Sequence, residues 1–337
     1  MNRHDAGSVG LAGWAWVAAA TLGAGGCSRS RTVSPHPPLY ASEEVAGVVI
    51  AIDPANATVV ARIPVGKRPR GVALAPGGER LYVAGADGIA VVDLQKRAVV
   101  TTLPAGPSPE GLALSPDGRT LYVSNEGSAT ASAIDLASGG LRTAGEVARE
   151  AGGIAVRPDG RVVFVTSAKD AEVTVLDAAT LAILARVPTG PRPRSVVFTR
   201  DGSLAFVADE AGARLTVIDA HAYVAQSEVP LHEDSRMPSG PRPMAMALSP
   251  DEKLLFVACG RGGSVAIVDV AKREQVRSID GVGDRPSGIA LSVDGAFVYT
   301  ANGASHDLSI VNVATGNVDR RVNLGGLPWG VVSARAY

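Results

Sequence analysis

One unit, recurring with variations almost to the C-terminus, restricts the fold of this chain more than any other feature. Its clearest copy is GPSPEGLALSPDGRTLYVSNEGSATASAIDLASGG, Gly106 to Gly140. A proline-rich turn leads into an apolar strand, GLALS; the tight turn PDG leads to a second strand, LYVSN; a polar loop and a third strand, ATASAID, follow. Copies start at Gly66, Gly106, Ala148, Gly190, Gly240, Gly283 and Gly325, spaced by 40, 42, 42, 50, 43 and 42 residues. A fixed period of this length marks a solenoid or a propeller.

Three columns keep the register. The second strand carries an aromatic at Tyr82, Tyr122, Phe164, Phe206, Phe256 and Tyr299. The third strand closes on Asp93, Asp135, Asp177, Asp219, Asp269 or Asn312, 13 residues after the aromatic in every copy but the first, where it is 11. The first strand opens on a small residue: Gly71, Gly111, Gly153, Ser195, Ala245, Gly288 and Gly330. Alternation gives each first strand a small face and a bulky face, so bulk from one unit is expected against the small side of the next. The Asp column suits turns in which a carboxylate accepts backbone N–H groups two residues on.

After Gly325 only one strand's worth of chain remains, PWGVVSARAY. The missing strands stand at the other end, where Tyr40 and Asp53 are again 13 apart and TVVARIPV follows. Pairing the two ends in one sheet closes a ring and protects its edges. The expected fold is all-β: a seven-bladed β-propeller of four-stranded antiparallel blades over 39–337, closed by three N-terminal strands and one C-terminal strand.

Residues 1–26 stand apart. LAGWAWVAAATLGAGG is a short apolar run after a weakly basic start, too short to span a bilayer and ending in small residues before Cys27. It reads as a signal peptide of lipoprotein type, with Cys27 resembling the acylated cysteine of a bacterial lipobox and 27–38 a polar, Pro-rich tether. The expectation is an exported, periplasmic or cell-surface protein, touching membrane only through a lipid anchor. Cys259 is the one other cysteine, so no CxxCH haem motif and no CxxC pair exists. No cofactor and no metal site is expected.

The repeated LYVSN, VYTAN and LYVAG, each followed by a VID-type strand, resemble the YVTN family of β-propeller repeats over essentially residues 39 to 333. Within that family IPVGKRPRGVALAP, GPSPEGLALSPDG, NGASHDLSIVNV and LGGLPWGVV resemble exported propellers associated with PQQ-dependent catabolism. The resemblance implies a periplasmic accessory to a quinoprotein oxidation system and attaches no reaction to it.

Loops leading into strand one and loops joining strands two and three share one face of a propeller, around the channel mouth. Two rings of side chains fall there. One runs Arg68, Ser108, Glu150, Arg192, Arg242, Arg285, Leu327; two residues later come Arg70, Glu110, Gly152, Arg194, Met244, Ser287, Trp329. Facing them from the other loops are Glu43, Glu44, Asn125, Glu126, Asp209, Glu210, Asn302 and Asp307. Guanidiniums pair bidentately with carboxylates, so the mouth is a candidate site for a small anionic ligand or a partner's acidic patch; the opposing reading is that these groups pair with one another and tie the loops together. Trp329 can stack on a planar ligand or plug the channel. HEDSRMPSG, His232 to Gly240, is an insertion on the same face, read as a solvated loop rather than a metal site.

With 32 basic and 33 acidic residues and 4% aromatics, nucleic-acid binding is disfavoured. The expected function is a monomeric, non-catalytic binding or scaffold propeller. The alternative is an enzyme of quinoprotein dehydrogenase or lactonase type, against which stands the lack of any nucleophile–base pair at recognisable spacing.

Overall fold

The computed structural model describes residues 38–232 and 241–333 as seven four-stranded antiparallel sheets, each a simple meander. Blade one joins Leu39–Glu43, Val48–Asp53 and Thr58–Pro64 to Pro328–Ser333; blades two to seven follow at 72–103, 109–144, 151–188, 193–230, 243–279 and 286–323. The closing pair runs Leu39 opposite Ser333 and Glu43 opposite Pro328, as the displaced strands at the two chain ends require. The first strands of successive blades pack side by side around a central channel. Cys27, the signal-peptide segment and the tether lie outside the described residues, as do residues 233–240 of the insertion. Among the described residues no helix is long and apolar enough to cross a membrane.

The columns have distinct structural causes. Phe164, Phe206 and Phe256 are fully buried, and the Tyr122 hydroxyl donates to the Ala178 carbonyl of the next blade at 2.9 Å, so the aromatics hold blade to blade. Each Asp closes its own turn: Asp177 accepts the Ala179 and Thr180 N–H groups at 3.0 and 2.8 Å, and Asp219 those of His221 and Ala222 at 2.9 Å. These bonds to the ionised form hold both carboxyls below their ordinary pKa.

The small column differs from the sequence-based expectation. What meets it is backbone rather than bulky side chains. A Cβ on Gly71 would lie 2.1 Å from the Glu110 carbonyl oxygen, on Gly111 2.4 Å from that of Gly152, and on Gly288 2.4 Å from that of Trp329. Innermost strands approach so closely near the axis that a neighbouring carbonyl fills the place of a side chain.

Candidate functional site

Most first strands reach the channel through two unusual backbone features. The first-ring residues Arg68, Ser108, Glu150, Arg192 and Arg285 have φ between 51° and 56°, although none is glycine. That region is sparsely populated for side-chain-bearing residues. The second-ring residues other than Arg70 sit at β-bulges. Arg194 is the extra residue between the pairs Pro193–Asp209 and Ser195–Ala208; Met244 and Ser287 repeat this, and Glu110, Gly152 and Trp329 fall in the same irregularity of their blades. A bulge re-aims one side chain out of the alternation, here toward the mouth.

Charges there are collected into two clusters. Arg70 Nη1 donates to Glu110 Oε2 at 2.6 Å and lies 3.5 Å from Glu126, while Nη2 is 3.6 Å from Glu44. Arg68 donates to the same Glu44 oxygen at 3.2 Å. Across the ring, Glu210 takes Arg194 at 2.9 Å, Arg242 at 3.4 Å and Arg192 at 3.7 Å. The Arg–Glu pairing that the opposing reading named is present in both clusters. Among the described residues Arg285 has no carboxylate partner; its guanidinium carbon stands 5.8 Å from the Trp329 ring centroid, and that of Arg70 stands 4.7 Å from it.

Arg70, Arg194, Arg285, Glu126 and Trp329 line a cavity of about 290 Å³ at the mouth. Below it, Glu110 and Arg194 border the channel bore, a further space of about 300 Å³. Burial pushes the Glu110 carboxyl above its ordinary pKa; the Arg70 guanidinium opposes the shift and the Glu126 carboxylate adds to it. A carboxyl so displaced, in a cleft beside guanidiniums, is a candidate for proton transfer.

Besides Glu210, which is 7% exposed beneath its arginines, three of the expected mouth residues are not on the surface. Asn125, Asp209 and Asn302, at the ends of second strands, are 0% exposed and bond beneath their own loops. Asn125 Nδ2 donates to Thr130 and Ser132, Asp209 accepts from the Thr216 hydroxyl at 2.7 Å, and Asn302 Nδ2 donates to Asp307 at 2.7 Å. The glycines opening the repeats cover them: a Cβ on Gly106, Gly190 or Gly283 would lie 2.3–2.6 Å from these side chains. Glu43 is buried too, accepting the Val45, Ala46 and Leu327 N–H groups at 2.7–2.8 Å. His232, where the insertion begins, exchanges backbone bonds with the Gln275 side chain. Among the described residues no group of three or more His, Cys, Asp or Glu is arranged to hold a metal ion.

The bulges that present the second ring carry no sequence signal of their own. Nor did sequence point to the opposite end of the channel, where blades four to seven enclose about 460 Å³.

A family model described as "Lactonase, 7-bladed beta-propeller" matches residues 100–226 and 177–324, together well over half of the chain. No curated protein matches in sequence. Among solved structures, the hydrazine synthase of Kuenenia stuttgartiensis is similar at 24% identity and a TM-score of 0.73, over 85% of this chain and 94% of that one. The periplasmic gluconolactonase of Pseudomonas aeruginosa is similar at 20% identity and 0.73, over 88% and 98%. A functionally unknown protein from Desulfotomaculum acetoxidans reaches 0.78 at 15% identity, over 89% and 99%. At these identities the structural likeness speaks for the fold.

Proposed function

Because the chain belongs to the seven-bladed β-propeller lactonase family, we propose that it opens a lactone ring by adding water at the channel mouth. The observation carrying this reading is the desolvated Glu110 carboxyl beside the guanidiniums of Arg70 and Arg194, on the wall of a cavity large enough for a small ring. Glu110 takes a proton from a water molecule as its oxygen attacks the lactone carbonyl. Arg194 and Arg285 stabilise the negative charge gathering on the carbonyl oxygen. The acyl carbon–ring oxygen bond breaks, Glu110 returns the proton to the departing alkoxide, and a hydroxy acid leaves. Arg70 orients Glu110, and the Trp329 face seats the ring. This favours the enzymatic alternative over the non-catalytic scaffold expected from sequence.

The finer sequence resemblance fits the same proposal. Oxidising a cyclic hemiacetal yields a lactone, so a lactone hydrolase beside a quinoprotein oxidation system would consume its product. The apolar segment before Cys27 supports an exported location.

The test is turnover of glucono-δ-lactone and simple γ-lactones by the purified chain, followed by acid release at constant pH. Glu110→Gln is expected to lower kcat by about 10²–10⁴-fold, the usual worth of a positioned general base, with the fold retained. Turnover unchanged in Glu110→Gln, or no turnover of any lactone by the wild type, would sink the reading.

A further inference from the structure

The channel does not end below the mouth. The mouth cavity shares Arg194, Ser287 and Trp329 with the bore, and the bore shares Val196 and Val197 with the far cavity of about 460 Å³. Polarity falls along this path. The mouth is charged; the bore is walled by glycines and by Leu112, Ile154, Met246 and Ile289, with Glu110 and Arg194 also on its wall; the far cavity is bounded by Phe198, Leu248, Leu291 and Val293, with Arg200 and Glu252 beside them. Several polar groups at the far end bond within the protein. The Ser249 and Ser292 hydroxyls donate to Asp251 and Asp294 within their own turns at 2.7 and 2.6 Å. Arg200 donates to the Pro250 carbonyl at 2.8 Å, and its backbone N–H donates to Glu252 at 2.8 Å. The Ser195 hydroxyl, buried and without a hydrogen-bond partner, lies beside Arg194, at the end where a lactone's polar group belongs. Arg200 and Glu252 stand at this cavity as a partly exposed pair 3.9 Å apart, and the surface between them and the bore is the apolar wall of Phe198, Leu248, Leu291 and Val293, against which hydrocarbon can lie.

We propose that the substrate is a lactone bearing an unbranched alkyl tail, its ring at the mouth and its tail threaded down the channel toward the far cavity. This rests on the lactone-hydrolase reading and names its substrate class. A six-residue strand spans about 20 Å, so the bore and far cavity together offer length for a medium-chain tail. Each methylene taken from water contributes up to roughly fourfold in affinity.

The experiment measures, for γ-butyrolactone, γ-octalactone, γ-decalactone and γ-dodecalactone, both binding and hydrolysis on the same protein. Binding is read from the fluorescence of Trp329, the one tryptophan outside residues 1–26. Affinity and kcat/KM are expected to rise about two- to fourfold per methylene. Val293→Phe should flatten that rise while sparing γ-butyrolactone. Val293 lines the far cavity from a half-buried turn position after the strand Pro286–Leu291, away from the mouth and the bore, so added bulk there takes up tail space and leaves the ring site as it is. Affinity independent of tail length in the wild type, or a Val293→Phe effect equal for all four lactones, overturns the tail proposal. Tightening affinity without turnover keeps the tail proposal and overturns the hydrolase reading. Turnover with no length dependence does the reverse.

Discussion

At Asp209 a carboxylic acid occupies a place that blades three and seven give to Asn125 and Asn302. Burial drives its pKa up to about 6, against the Thr216 hydroxyl, which favours the ionised form. An acid whose pKa is raised on folding holds its proton more tightly in the folded chain, so stability falls as pH climbs from 3.8 to about 6 and stays lowered above that. Asp209→Asn supplies the neighbouring blades' amide. It is expected to stabilise the protein above about pH 7 by on the order of 2 kcal/mol and to change little near pH 4, as thermal melts at the two pH values would show. Glu110 obeys the same physics in the catalytic setting. Its activity as a base should appear only above its raised pKa, and Glu126→Gln, by removing a like charge, should move the acidic limb of the pH–rate profile to lower pH. A limb that stays in place would remove Glu110 from the role of base.

The innermost strands raise a question of spacing. Gly152 and Gly153 are adjacent, yet only the second faces the next blade's backbone closely: its Cβ would lie 2.6 Å from the Arg194 carbonyl oxygen and 2.7 Å from the Ser195 Cα. Gly153→Ala must therefore push two strands apart, at an expected cost of 1–3 kcal/mol, while Gly152→Ala should stay within about 0.5 kcal/mol. Urea denaturation of the pair compares them directly. Equal midpoints would mean that strand spacing at the axis yields easily. The neighbouring strand that Gly153 presses against carries Arg194 at its bulge, so Gly153→Ala is also expected to lower activity more than stability loss alone would.

At the scale of the ring, closure depends on blade one, and Glu43 is its clasp. Its carboxylate receives N–H groups from its own loop and from Leu327, which leads into the closing strand. Glu43→Ala leaves these donors without their partner in a buried place and is expected to cost about 3–5 kcal/mol, against under about 1 kcal/mol for Glu44→Ala, whose ion pairs lie nearer solvent. A denaturation midpoint shifted equally by the two would refute that assignment. Much of this was legible in the repeat. Blade number, strand order and closure follow from columns at fixed spacing, because a closed ring of β-meanders needs the same small, aromatic and acidic residues in every blade. The two rings of first-strand residues could be read off as well, but whether their arginines pair with carboxylates or wait for a ligand could not. Nor could which polar side chains reach the mouth. Asn125, Asp209 and Asn302 end second strands beside Glu126, Glu210 and Gly303, and only the packing of glycines over the first three hides them. Sequence by itself determined the architecture, since hydrogen-bonded sheets repeat with the chain. Tertiary structure alone decided the site, the bulges and the tapering polarity of the channel, because these arise where seven separate strands converge and no local stretch records its distance from the axis.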